Sequence, residues 1–357
     1  MKFFRIETEA GETIDILPRS FEPLSYIELA SDAVEKSKTY KMEGIVDSIE
    51  ITGSNPQSGE AKFSAVINFH RSASIYALVE GGWLPPPFVI PPNLLVDRNV
   101  VQYLAQITRG NKRSDLQDTN WWLNLITDNN LLINPVLYAL EGSERRTPSF
   151  DEFCRSFKEA SLKIAAQLPN AKLITYESEH YKAAYEVIIA LGERHKRESD
   201  FLVRVAPVIA SPVADSKLRE VEAFILQAVE DLSLEKKSLA VIAALSCLYQ
   251  KRDGSGFLTA RRILKPRPNG MYTPQDAHNA LADLRSLELF IGSLGFTHDP
   301  FALCTCDKAI ALFWCGLAPY GFEWKDNNFS FNVTLSEHLF PRLQDSEHEE
   351  LAERLFG

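Results

Sequence analysis

Two short apolar runs set the terms for this chain. Residues 94–96 (Leu-Leu-Val) and 301–305 (Phe-Ala-Leu-Cys-Thr) show no polar alternation. A strand with one wet face alternates polar and apolar residues. A continuous run fits a strand covered on both faces, as in a parallel sheet flanked by helices. Most of the chain between the runs has helical periodicity, at 100–108, 119–127, 150–168, 177–196, 214–232, 234–251 and 274–294. Asn134-Pro135 opens a further short helix, with Asn as N-cap and Pro at the first position. Thr273 and Gly295 read as the cap and stop of the 274–294 helix. The second run leads into a helix at 307–317, so the central part is expected to be α/β.

The N-terminal part reads differently. Segments 3–6, 13–16, 44–52, 61–69 and 74–79 are strand-like, with one helix expected at 25–38. Residues 81–92 hold five prolines, which forbid helix there and mark a boundary. The expected organisation is a β-rich domain at 1–87, an α/β domain at 88–335 with a helical insertion at about 150–270 and an edge strand at 329–333, and an acidic tail at 336–357 with an exposed helix at 345–355.

The 357 residues carry a formal charge of −10, which argues against a protein that coats polyanions through a basic stripe. The excess is local, however. Residues 1–90 are net −5 and 337–357 net −4, leaving 91–336 at −1. Five cysteines at irregular spacing fit reduced thiols in a cytoplasm better than a disulfide framework. No basic start precedes an apolar segment, so no signal peptide is expected. The apolar stretch 238–249 covers only about half a membrane span and reads as a buried helix.

Four acids stand where apolar elements end or on helices nearby. Asp97 follows the first run and Asp307 the second; Glu141 lies on the short helix after Pro135, and Asp283 on the 274–294 helix. Ligands of open α/β sheets bind at the carboxyl ends of strands. Crowded carboxylates repel one another unless a cation neutralises them, and hard divalent cations prefer oxygen ligands. The set therefore predicts a metal site suited to phosphodiester hydrolysis.

The same residues resemble the PIN-domain nucleases. Leu94-Leu95-Val96-Asp97-Arg98-Asn99-Val100-Val101 is similar to that family's opening motif, and residues 132–141 to its second, ending in Glu141. Residues 276–283 and 302–307 are similar to the third and fourth, which end in Asp283 and Asp307. The resemblance spans about 88–325, and the helical insertion separates its second and third motifs. It implies a PIN-like (Rossmann-like) central parallel sheet and a Mg²⁺- or Mn²⁺-dependent nuclease, RNA ahead of DNA. Asp97, Glu141, Asp283 and Asp307 would hold the metal and carry catalysis, leaving 5′-phosphate and 3′-hydroxyl ends. Asn99 and Thr305 would orient the acids or the attacking water. Arg98 would hold the scissile phosphate, and Asn279 would face substrate beside Asp283.

Residues 251–268 add six bases (Lys251, Arg252, Arg261, Arg262, Lys265, Arg267) against one acid, and Arg261, Arg262 and Lys265 are expected on the substrate backbone. A second basic cluster, Arg109, Lys112 and Arg113, stands near Trp121 and Trp122, which could stack bases. Cys304-x-Cys306 has the wrong spacing for structural zinc. Walker A, G-x-G-x-x-G and G-x-S-x-G motifs are missing, which disfavours P-loop, dinucleotide and serine-hydrolase chemistry. A separate N-terminal module on a nuclease fits, by analogy of architecture, a toxin or phage-defence effector. That module or the insertion is expected to take a protein partner or to self-associate, with no membrane involved. The rival expectation is a non-catalytic interaction protein on the same scaffold.

Overall fold

The computed structural model describes residues 4–7, 11, 13–31, 38–51, 57–69, 75–89, 93–108, 131–142, 146–190, 192–251, 259–296, 301–325 and 328–356. The chain opens on an antiparallel sheet of β1 (Phe4–Glu7), β2 (Thr13–Phe21), β3 (Lys38–Ile51) and β4 (Gln57–Phe69), paired in chain order. Helix α1 (Tyr26–Ser31) lies between β2 and β3.

The second sheet has six strands: β5 (Tyr76–Val79), β6 (Gly82–Leu84), β7 (Asn93–Val96), β8 (Leu132–Asn134), β9 (Lys172–Leu173) and β10 (Phe301–Thr305). Their order is β6-β5-β10-β7-β8-β9. The run β10-β7-β8-β9 is parallel, whereas β5 is antiparallel to both β10 and β6. The sheet is thus mixed and mostly parallel, not wholly parallel as expected. Both apolar runs are central neighbours in it, and all four residues of β7 are buried.

Helix α2 (Arg98–Thr108) follows β7, and α3 (Val136–Glu141) and α4 (Phe150–Gln167) follow β8. Asn134 helps start α3 as expected, although its side chain accepts from Val136 N at 3.1 Å with Pro135 itself in the cap position. A capping box between Ser149 and Glu152 fixes the start of α4. Five helices come next: α5 (Ser178–Ala190), α6 (Gly192–Val205), α7 (Leu218–Asp231), α8 (Leu239–Leu248) and α9 (Thr259–Leu264). Every residue of α8 is buried, which accounts for the apolar stretch at 238–249. The long helix α10 (Pro274–Phe296) leads to β10, and α11 (Lys308–Leu317) follows it. A hairpin of β11 (Pro319–Lys325) and β12 (Asn328–Val333) and the helix α12 (Asp345–Phe356) end the chain.

Four expectations are corrected. The β5–β6 hairpin lies before the proposed boundary at 87/88, yet it pairs with β10, so the break between the sheets falls between residues 69 and 76. The stretch assigned to a helical insertion at 150–270 begins with α4 and β9, which continue the parallel sheet; the added helices start at α5. The helix expected at 177–196 is two helices, the second beginning at Gly192. The acidic tail is not a free exposed helix, because Phe340, Leu351 and Leu355 are buried in the core.

Tryptophans close the seam between the two sheets. Trp314 of α11 is fully buried, and its Nε1 donates to Val79 O (2.8 Å) and Gly82 O (2.9 Å). Trp83 N and O pair with Leu24 O and N, and a Cβ on Gly82 would stand 2.3 Å from Leu24 O, a main-chain approach only glycine permits. No helix among the described residues is long and apolar enough to cross a membrane.

Candidate active site

The register of β7 and β10 builds the site. Val96 pairs with Cys304, so Asp97, just past the end of β7, and Thr305, the last residue of β10, stand side by side. Thr305 is 1% exposed, and its Oγ1 donates to Asp97 Oδ2 at 2.5 Å. The same oxygen accepts from Asp307 N at 2.9 Å. One buried hydroxyl therefore joins both strand ends. Asp97 Oδ1 accepts from Val100 N (2.7 Å) and so caps the start of α2. Asp307 caps α11 in the same manner, with Oδ1 accepting from Ala309 N (2.7 Å) and Ile310 N (3.3 Å). These bonds are ordinary capping chemistry, and each leaves carboxylate lone pairs to face a ligand.

The place in the sheet matters as much as the bonds. From β7 the chain moves outward through β8 and β9 on one side, then returns to put β10 on the other side. Strand order reverses at β7 and β10, which is where open α/β sheets leave a crevice beyond the strand ends.

Glu141 ends α3, and Asp283 lies mid-way along α10. Burial is the main influence on all three shifted acids. Burial pushes Asp97 up to about 7, against its bonds from Thr305 and Val100, with the charges of Glu141 and Asp307 adding to the rise. Asp283 is pushed up to about 8 by burial and then by Asp307 and Glu141, with Lys265 pulling the other way and Asp97 adding a little. Glu141 is raised by burial, opposed by the Arg98 guanidinium. The four acids thus lie near enough to repel one another in a low-dielectric recess. No hydrogen bond holds the carboxylate of Glu141 or of Asp283 among the described residues. Among those residues, no set of three or more His, Cys, Asp or Glu side chains is arranged to hold a metal ion. The donor chemistry, oxygens only, fits a hard divalent cation.

The other expected residues divide. Asn99, Arg261, Arg262 and Lys265 line one open cleft with Cys306, Asp307, Lys308 and Ala309. Arg261 is anchored there: its guanidinium donates to Ile209 O and Ala210 O, each at 2.7 Å. Arg98 is anchored too, donating to Gly142 O and stacking on the Tyr138 ring 5.0 Å away. It holds the end of α3, and so Glu141, in place. Asn279 is exposed on α10 outside that cleft. Arg267 pairs with Asp276 at 3.5 Å. Arg109, Lys112, Arg113, Trp121, Trp122 and Arg252 lie outside the described residues.

Sequence reading missed two features. Lys308 lines the cleft next to Asp307, and only its adjacency to the fourth motif could have flagged it. Behind α10, a buried ionic cluster joins Arg194, His195 and Glu198 of α6 to Arg285 and Glu288 of α10. Burial, then the charge of Arg285, drives His195 down to about 3, so the imidazole is neutral. The i,i+4 spacing of Arg194 and Glu198 was its only local signal.

No family model matches the chain, and neither a curated protein nor a solved structure matches it.

Proposed function

We propose that the chain is a divalent-metal-dependent nuclease, acting on RNA ahead of DNA, with its centre at Asp97, Glu141, Asp283 and Asp307. The observation that carries this reading is the Thr305 hydroxyl, which links Asp97 at the end of one central strand to Asp307 beyond the end of its parallel neighbour. Asp283 and Glu141, whose carboxyls no hydrogen bond holds among the described residues, add charges that act on Asp97.

Each residue has a part that follows from its contacts. Thr305 fixes the Asp97 carboxylate and the Asp307 main chain relative to one another. The α2 and α11 caps hold Asp97 and Asp307 by one oxygen each, which leaves the second oxygen of Asp307 outside the cap. Arg98, through Gly142 O, sets where Glu141 stands. The four acids would hold one or two Mg²⁺ or Mn²⁺ ions. A bound ion supplies a water acidic enough to attack at neutral pH and charge to offset the phosphate.

The spacing of the acids favours a second reading, a non-catalytic binding protein on the same scaffold, because no metal-holding set is closed among the described residues. Cleavage separates the two. Purified full-length protein with Mn²⁺ is expected to cut single-stranded RNA, and Asp97→Asn and Asp283→Asn to lower the rate at least about 100-fold, the scale on which removing charge-stabilising groups acts. Wild type and variants equally inert on RNA and DNA with Mg²⁺, Mn²⁺ and other divalent ions would reject the nuclease reading.

A further inference from the structure

A cavity of about 280 Å³ lies between α6, the turn from α7 to α8, α10 and β12. It shares no lining residue with the cleft beside Asp307, and none of the four acids lines it. Its volume falls just under the range of about 300–1,000 Å³ that suits drug-sized ligands, so its size fits a smaller molecule.

Two acids lie deepest in it. The Glu198 side chain is 2% exposed and that of Glu288 16%. Each uses one oxygen within the protein. Glu198 Oε1 accepts from Ser238 Oγ at 2.7 Å and faces Arg194 Nε at 3.5 Å, and Glu288 Oε2 accepts from Arg194 Nη2. His195 Nε2 stands 3.6 Å from the same Glu288 oxygen, but its imidazole is neutral. No described residue donates to Glu198 Oε2 or Glu288 Oε1, and neither oxygen is closed off from open space. Arg194 and Arg285 are the cations beside this pair. Both carboxyls are nonetheless raised, Glu198 by burial and then by the charge of Glu288, and Glu288 by burial against the pull of both arginines. The deep end is therefore under-compensated, with two oxygens left to accept hydrogens from a further cation.

The rim has the opposite character. Arg197 is exposed, and its one hydrogen bond among the described residues runs to Ser233 O at 3.1 Å. A carbonyl fixes a guanidinium without neutralising it. Lys237 meets Glu235 at 3.8 Å with both side chains more than half exposed, so that pair is worth little. Arg197 and Glu198 follow Arg194 by three and four residues on α6, which keeps the anion-seeking and cation-seeking groups within one helical turn. Leu234, Leu239, Ile291 and Phe331 supply an apolar wall, and a Cβ on Gly292 would meet nothing within 4 Å.

We propose that this cavity binds a small zwitterion, an α-amino acid with an apolar side chain. Its ammonium sits on Glu198 and Glu288, its carboxylate on Arg197, and its side chain against the apolar wall. The site goes beyond the nuclease reading and does not depend on it. A ligand carrying a single charge leaves either the carboxylate pair or the rim guanidinium unmet, and one without an apolar part leaves the wall wet.

Calorimetric titration of full-length protein with leucine in EDTA tests the site. Two analogues keep one charge each: leucinamide retains the ammonium, and 4-methylpentanoate the carboxylate. Leucine is expected to bind saturably with Kd below about 1 mM, and both analogues at least about tenfold more weakly. Gly292→Leu fills the cavity from α10. It should abolish binding while leaving Tm equal or higher, because glycine is a poor helix residue. Arg197→Gln should weaken leucine at least about tenfold and leave leucinamide unchanged, a split that a merely structural arginine would not give. Lys196→Gln, exposed on α6 and outside the cavity, should change neither. No saturable binding of leucine, an analogue bound as tightly as leucine, or full binding by Gly292→Leu would overturn the site. Should Gly292→Leu fail to fold, the Arg197→Gln split decides: its presence supports the site and its absence overturns it. The titration uses neither metal nor nucleic acid, so it stands or falls separately from any cleavage result.

Discussion

At the scale of residues, Thr305 is the side chain on which most depends. Its hydroxyl is buried, donates to one acid and accepts from the main chain of another. Thr305→Val keeps the shape and removes both bonds, leaving Asp307 N without that partner; unsatisfied buried groups cost about 1–3 kcal/mol. Chemical denaturation should show a loss of that size, and the cleavage rate of the proposed nuclease should fall with it. Thr305→Ser should retain most of both. The acids themselves predict an unusual pH dependence for metal-free protein. Asp97 and Asp283 hold protons up to about 7 and about 8 when folded, whereas unfolded aspartates release theirs near 4. Between those values the unfolded chain binds fewer protons, so stability falls as pH rises. Tm without metal should be lower at pH 8 than at pH 5.5, Asp283→Asn should flatten the difference, and Mn²⁺ should restore Tm at pH 8. A Tm that rises with pH across this window in metal-free wild type would contradict the burial of these carboxyls.

Residue by residue, the sequence was informative where chemistry is local. Asp97 and Asp307 were readable because each directly ends an apolar run, and Thr305 because it precedes Asp307 by two. Arg98 and Arg261 were expected on phosphate, and the sequence could not show that their guanidiniums donate to Gly142 O and to Ile209 O with Ala210 O, because those partners are 44 and about 50 residues away. Nothing in a linear pattern distinguishes a guanidinium on carbonyls from one facing solvent.

At the scale of elements, the seam at β6 joins the N-terminal sheet to the rest. Gly82 lets β6 lie against Leu24, and Trp314 binds the turn before it from below. Gly82→Ala pushes a methyl into a main-chain carbonyl, a clash that cannot be relieved by rotating a side chain, and should cost about 1–3 kcal/mol in equilibrium unfolding. Gly81→Ala next to it would meet only Pro23 Cγ, at an ordinary 4.0 Å, but has a φ of +77°, so it isolates the backbone effect. Strand periodicity found β5, yet not its partner, because pairing is a contact between distant segments. Five prolines following β6 looked like a domain border, but a stiff turn can equally feed one strand of a sheet into the next. Likewise the two-residue β9 is too short to leave a pattern, so the crossover through α4 was read as part of an insertion.

At the scale of the whole molecule, the acidic end of the chain is a clasp rather than a free tail. Glu222 of α7 is buried, accepts from Arg219 (2.9 Å) and Tyr249 (2.8 Å), and forms an ion pair with Arg354 of α12 at 2.7 Å; Arg219 also reaches Glu347 at 2.6 Å. Glu222→Gln weakens its own three contacts at a buried position. It should lower stability by about 1–3 kcal/mol and raise proteolysis of α12, with no direct effect on metal binding. Charge counted along the chain could locate the acids of this tail but not the two arginines that bring it home.

The whole account depends on the four carboxylates acting as one oxygen site. Calorimetric titration of full-length protein with Mn²⁺ at pH 8 tests this most directly. Saturable binding is predicted, weakened at least about tenfold (about 1.4 kcal/mol) in Asp97→Asn and in Asp283→Asn, and unchanged in Asp276→Asn, which caps the start of the same α10 helix. Absent binding, or equal binding by wild type and both site variants, would contradict it.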